Sequence, residues 1–223
     1  MGWIAKIIFM GFRIHTCITC FDGTRVFNNH YGRWCFNYGF GLSILPIQKN
    51  EMTEDSLSLK KKLEGSKKYL QNADLKGADL SEVDLKGALL AGADLRCANL
   101  SKAFFGEADL SNANLAEANL EEANLNSASL SKVNLKGAKM HALYARLADL
   151  RGANLSNADV SKANLRQCSM FKVWMRNSDF SGANLQNIKG AQSQMQDSKF
   201  CGAKMEGAEL TGARLDDADM EGG

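Results

Sequence analysis

Cysteine, histidine and serine are the residue types through which this chain could do chemistry, and two spacings invite the question. Cys17 and Cys20 are separated by two residues and followed by His30 and Cys35, with His15 nearby. Two thiolates in tight spacing plus a further thiolate and an imidazole are the donor set of a tetrahedral zinc. The second half lacks a tight pair of its own, so incidental cysteines are the plainer reading, and no metal or other cofactor is expected. The other constellation is His141, with Glu121 and Ser161 twenty residues to either side. A serine–histidine–acid device also needs a pocket and an oxyanion site. Cys97, Cys168 and Cys201 have no neighbouring base to activate a thiolate, and no glycine-rich phosphate loop is present. The chain is therefore expected not to be an enzyme.

What would position those residues is decided by a repeat. From Ala73 to Gly222 the chain repeats every five residues without insertion or deletion, giving thirty units. The third residue of the unit is Leu in 18 units, Met in 6 and Phe in 3, with Ala145, Val160 and Gly190 once each, and the first is Ala in 21. Five residues on an α-helix turn through about 500°, which would smear the leucines over every face. On a continuous strand an odd period would flip each leucine to the opposite side. A right-angle bend once per unit resolves the conflict. First and third residues then point inward together, and the fourth and fifth make the corner. Glycine holds the fifth position in ten units, where positive φ costs little. Four units close a square coil, and coils stack at about 4.8 Å. Thirty units make roughly seven and a half coils, a rod of about 35 Å.

These units resemble the pentapeptide-repeat family, whose motif is A(D/N)LXX. The resemblance implies an all-β fold, a right-handed quadrilateral parallel β-helix, with first and third residues inside and the others facing solvent. Leu75, Leu80, Leu100, Leu120, Leu135 and Leu155 are expected in its core. Where the third residue shrinks, at Ala145 and Gly190, the first is enlarged to Leu143 and Ile188, which reads as volume compensation.

Three segments follow: an irregular N-terminal extension (1–51), an amphipathic capping helix (52–72) and the β-helix (73–223). The extension opens with about a dozen apolar residues around Lys6, too few to span a bilayer. It has no basic leader region or A-x-A cleavage site, so a membrane location is not expected. Asp22-Gly23 between alternating runs predicts a hairpin over Cys17–Phe27. Met52 offers an alternative start. Thr53 to Leu70 reads as one helix, N-capped by Thr53 and interrupted in its pattern by Gly65. Its expected task is to cover the open first coil.

The 223 residues carry a net charge of +2, but residues 73–223 hold 17 Lys/Arg against 20 Asp/Glu. No charge block points to nucleic acid. Six cysteines without a regular framework suggest free thiols and a cytoplasmic setting.

Function must then lie in the outward positions. Second residues are Asp or Asn in 17 units. The exceptions Leu89, Phe104, Tyr144 and Trp174, with Leu147 and Phe171 at corners, are apolar. Phe104, Tyr144, Arg146, Leu147, Arg166, Phe171 and Trp174 are expected to form a patch for an unidentified protein partner. The function expected is a non-catalytic protein–protein interaction scaffold. The family resemblance implies two alternatives: a DNA mimic that binds type II topoisomerase, as in quinolone resistance, and a secreted or membrane-targeted effector. Acidic residues and glycines at the C-terminal edge are expected to blunt it, the alternative being an end-to-end homodimer.

Overall fold

A computed structural model describes residues 56–222, together with the backbone of three strands, β1 (Ile18–Phe21), β2 (Thr24–Asn29) and β3 (Gly32–Asn37). The chain divides into two units between Leu45 and Pro46. In the first, β1 and β2 pair antiparallel with Phe21 opposite Thr24, while Asp22 and Gly23 themselves lie outside the described residues. β3, a strand with no counterpart among the sequence expectations, adds to the other side of β2. Cys20 stands opposite Arg25 and Cys35 opposite Val26. The other two proposed zinc ligands, Cys17 and His30, lie outside the described residues, as do Thr53 and the hydrophobic opening.

In the second unit, α1 spans Ser56–Gly65 and is followed by a separate 3₁₀ turn, Lys67–Tyr69. The single helix expected over 53–70 is thus broken at Gly65, where the loss of helical propensity is about 1 kcal/mol relative to alanine. Leu63 and Leu70 are buried, whereas Leu57 and Tyr69 are exposed. Glu64 accepts the backbone N–H of Asp84, and the carbonyl of Lys67 accepts that of Leu89. Both donors sit on the leading edge of the first coil.

From Ala73 onward each second residue bridges in parallel to the residue twenty positions on, starting with Asp74 to Asp94 and ending with Lys199 to Asp219. A constant offset of twenty is four units per coil, and the bridges sort into four columns. Face 1 begins at Asp74, face 2 at Asp79, face 3 at Asp84 and face 4 at Leu89. Right-angle corners make faces 1 and 3 opposed.

Every fifth position from Asn72 to Gly222 has positive φ, between 53° and 71°. The first residue of the next unit donates back across the corner, as Ala78 does to the Leu75 carbonyl at 3.1 Å. A β-turn with positive φ at its third residue is the type II arrangement. Between coils, second, third and fifth residues all donate to neighbouring backbone carbonyls, for example Asp94 to Ala73, Leu75 to Asp94 and Gly77 to Arg96. The backbone is thus paired along the rod.

Inside, Leu75, Leu80, Leu100, Leu120, Leu135 and Leu155 are buried against the alanine columns. Leu143 and Ala145 are both buried, as is Ile188. A Cβ built on Gly190 would stand 2.9 Å from Leu210 Cδ2 and 3.5 Å from Ile188 Cδ1, so neighbouring side chains already occupy the missing leucine's volume. Phe180 and Phe200 stack on successive coils with centroids 5.2 Å apart. Towards the C-terminal end, Leu210 and Leu215 are only partly buried.

Candidate functional site

The outward surface is dominated by one local device. In all 17 units whose second residue is Asp or Asn, its Oδ1 accepts the backbone N–H of the fourth residue, as Asp79 does from Ser81 at 3.2 Å and Asn124 from Asn126 at 3.0 Å. These are Asx-turns that start each corner. The Asp/Asn columns are therefore structural, and some also bond along the column, Asn134 Nδ2 donating to Asn114 Oδ1 at 3.0 Å.

Against that background one unit departs at its first three positions and carries an aliphatic corner. Leu143-Tyr144-Ala145-Arg146-Leu147 has a large first residue, an aromatic second, a small third, an arginine without an Asx partner and an aliphatic corner. Its backbone nevertheless stays in register, Tyr144 bridging to Asn124 and Asn164. With no Asx oxygen at position 144, the Arg146 N–H donates instead to Oδ1 of Asn126 on the preceding coil, at 2.8 Å. Tyr144 is 51% and Leu147 53% exposed, and Leu147 holds φ +63°. Leucine in the left-handed region is strained by roughly 1–2 kcal/mol.

Phe104, also half exposed, lies two coils before Tyr144 in the same column of face 3. Arg146 and Arg166 occupy the same place on successive coils at the corner that ends face 3. The structure thus brings Phe104, Tyr144, Arg146, Leu147 and Arg166 together along one face and corner. It does not bring Phe171 and Trp174 to them. Trp174 bridges to Asn154 and Gln194 on face 1, opposed to Tyr144. Phe171 stands at the corner between faces 4 and 1, with Lys172 Nζ 5.0 Å from its ring. The reason is arithmetic: Trp174 is six units beyond Tyr144, half a circuit more than a whole coil.

Part of the surface charge is paired within single units. Arg96 and Arg151 each make two bonds to the aspartate two residues earlier, Asp94 and Asp149, with closest approaches of 2.6 Å. These guanidiniums hold both carboxyls below the ordinary carboxylate range. The Lys86 backbone N–H, followed by the Lys67 ammonium, does the same for Asp84.

His141 Nδ1 lies 2.8 Å from Ser161 Oγ, and that hydroxyl donates to Asp159 Oδ1 at 2.6 Å. The serine proton is committed to the carboxylate, so the imidazole is not poised to remove it. Burial pushes the Cys168 thiol up to about 12. Among the described residues no His, Cys, Asp and Glu group could hold a metal ion, and no helix is long and apolar enough to cross a membrane.

Sequence reading missed Asn126 as a backbone acceptor and the inward serines. Ser178, Ser193 and Ser198 are buried at first positions and donate to the carbonyls of Leu155, Met170 and Met175 one coil back. Their only sequence signal is a hydroxyl where alanine is the rule.

A family profile described as pentapeptide repeats matches eight copies, over residues 69–106, 105–141, 148–187 and 193–223. The chain belongs to the pentapeptide-repeat family. Its right-handed quadrilateral β-helix is the family fold. The matched ranges omit 142–147 and 188–192, the two units in which the inward residues exchange size. No curated protein matches the chain. Among solved structures, a trypsin-treated variant of QnrB1, a plasmid-mediated fluoroquinolone resistance protein, is 18% identical, covering 69% of this chain and 85% of its own, with a TM-score of 0.38. HetL, a pentapeptide repeat protein involved in heterocyst differentiation regulation in the cyanobacterium Nostoc sp. strain PCC 7120, is 24% identical over 72% of this chain and 92% of its own, at a TM-score of 0.25. A pentapeptide repeat protein of the Arabidopsis thaliana thylakoid lumen is 26% identical over 51% of this chain and 68% of its own, at 0.28.

Proposed function

We propose that this protein is a non-catalytic interaction scaffold whose recognition surface is face 3 and the corner that ends it. One observation carries the reading. The 143–147 unit departs from the repeat pattern at its first three positions, keeps its backbone register, and places two large apolar side chains, Tyr144 and Leu147, outward. Exposed aromatic and aliphatic side chains beside arginine are the composition of a binding hot spot. Leu147 is the one large aliphatic side chain among the fifth residues of the units, and it is 53% exposed.

In this reading the β-helix is about seven and a half coils long, and α1 with its 3₁₀ turn caps it. Support comes from buried Leu63 and Leu70 and from the two bonds to the N–H groups of Asp84 and Leu89. Residues 1–51, 52–72 and 73–223 act as extension, cap and rod. Phe171 and Trp174 form a second, smaller surface. The free thiols of Cys97, Cys168 and Cys201 favour a cytoplasmic setting. A DNA mimic requires strongly acidic flanks, and residues 73–223 carry only three more acidic than basic groups. An end-to-end homodimer remains a separate use of the partly exposed last coil.

The test is capture from native lysate with three baits: wild type, Phe104→Glu/Tyr144→Glu/Leu147→Glu, and Phe171→Glu/Trp174→Glu, each first shown by circular dichroism to fold alike. A protein retained by the wild type and the last bait but lost from the face 3 variant is the expected result. Identical captures from all three would overturn it.

A further inference from the structure

The fourth-position arginines of the β-helix fall into two classes, and the difference identifies the kind of partner. Arg96 and Arg151 are neutralised by the aspartate two residues earlier, at 2.6 Å. At Arg146, Arg166 and Arg176 the corresponding residues are Tyr144, Asn164 and Trp174, none of which carries charge. Arg176 donates through Nε to Gln196 at 3.1 Å. Arg146 reaches only the amide oxygen of Gln167, at 3.4 Å, and the Arg166 guanidinium has no bond to any described residue.

Arg146 and Arg166 are also neighbours. They hold the same corner place on successive coils, about 4.8 Å apart at the backbone. Two like charges at that separation repel, and no described carboxylate offsets them. The corner is otherwise neutral around them, with Asn126 on the coil before and Gln186 on the coil after. The result is a localised doubly positive spot, bordered by exposed Tyr144 and Leu147 on a rod whose own balance is acidic.

We infer that this spot is the docking site for an extended acidic peptide segment of a partner protein, with carboxylates meeting Arg146 and Arg166 and an apolar side chain meeting Tyr144 and Leu147. This rests on the scaffold reading and names its partner class. Arginine is suited to the role because its planar fork matches a carboxylate in two-point bonding. A nucleic acid fits less well. Neutralising two phosphates yields little affinity, and the acidic balance of the remaining rod repels a long polyanion.

The experiment uses the full chain and the peptide fluorescein-Gly-Asp-Glu-Leu-Phe-Glu-Asp-amide, read by anisotropy. Binding is expected to weaken at least five-fold between 50 and 300 mM NaCl, because the contacts are exposed. The variant Arg146→Gln/Arg166→Gln should lose at least ten-fold in affinity. Lys136→Gln/Lys139→Gln removes the same total charge from another part of the rod and should change affinity less than two-fold. Absence of binding, equal loss in both variants, or tighter and equally arginine-dependent binding of an oligothymidylate would overturn the inference. In lysate capture, a partner kept by Arg146→Gln/Arg166→Gln but lost from Tyr144→Glu would overturn the acidic-segment assignment while leaving the scaffold reading standing.

Discussion

The backbone N–H of Arg146 donates to the side-chain Oδ1 of Asn126 across one coil, at 2.8 Å. Wherever the second residue is Asp or Asn, that bond is made within a single unit. Here the aromatic residue at position 144 removes the internal acceptor and the coil below supplies a substitute. Asn126→Ala should therefore destabilise the rod by about 1 kcal/mol, the net worth of one hydrogen bond. Combined with Tyr144→Asn, which restores an internal acceptor, the same change should cost much less. Urea unfolding of the four proteins in that cycle measures the coupling. Additive losses would show that the Asn126 bond is incidental.

The corner at Leu147 supplies a second expectation. Asparagine tolerates the left-handed region better than leucine, so Leu147→Asn should raise stability by up to about 1 kcal/mol. The same variant should bind the lysate partner more weakly. A thermal midpoint that rises while capture falls is the signature of a residue kept for recognition at the expense of the fold.

The compensated core units predict a coupled pair. Gly190→Leu returns the third residue to the common type, yet the space is already filled by Leu210 and Ile188. It should destabilise by about 1–3 kcal/mol through overpacking. Adding Ile188→Ala should recover most of that loss. By contrast, Leu120→Ala leaves a cavity in a regular unit and should cost about 2–5 kcal/mol, while Leu120→Asp should prevent folding of the coils around it.

Acid sensitivity has a defined sign. Asp94 and Asp149 are held below the ordinary value by Arg96 and Arg151, and Asp84 by the Lys86 N–H and Lys67. A carboxyl whose folded value is depressed contributes stability above its unfolded value, about 3.9, and loses it as pH falls through the folded value. The urea midpoint should thus be flat with respect to these groups from pH 7 to 5 and fall below about pH 4. In Arg96→Gln/Arg151→Gln that acid-side fall should be shallower.

Thiol labelling should rank the described cysteines. Cys97 is exposed and should react first. At Cys201 the hydrogen bond to the Asp219 carboxylate, with its negative charge, raises the thiol and should slow the reaction. Cys168, raised to about 12 by burial, should react only on unfolding. Peptide mass mapping after a short exposure to iodoacetamide distinguishes the three.

Much of this architecture is legible in the chain because a five-residue period is incompatible with both regular elements, leaving a corner per unit as the way to bury Leu75 and its successors. The volume exchange at Ile188 and Gly190 is equally visible, since both residues sit at inward positions. What escapes is whatever depends on partners outside the unit. Asn126 looks like any outward polar residue until Tyr144 withdraws the local acceptor. Ser178 looks like a small residue until its hydroxyl meets the Leu155 carbonyl. β3 is not legible because no Asp-Gly or Asn-Gly pair marks a turn between Asn29 and Gly32, as Asp22-Gly23 does between β1 and β2. Trp174 and Tyr144 share exposure and type, and only counting units around the square separates them onto opposed faces.

The unbroken bridge offset of twenty gives residue number the meaning of an angle. Deleting twenty residues should shorten the rod by one coil and leave every downstream side chain facing as before. Deleting five should rotate all that follows by a quarter turn, carrying Trp174 to the side that adjoins Tyr144. The family can therefore shift surface features around the axis in discrete clicks by gaining or losing single units, without altering the interior, much as a combination lock is reset.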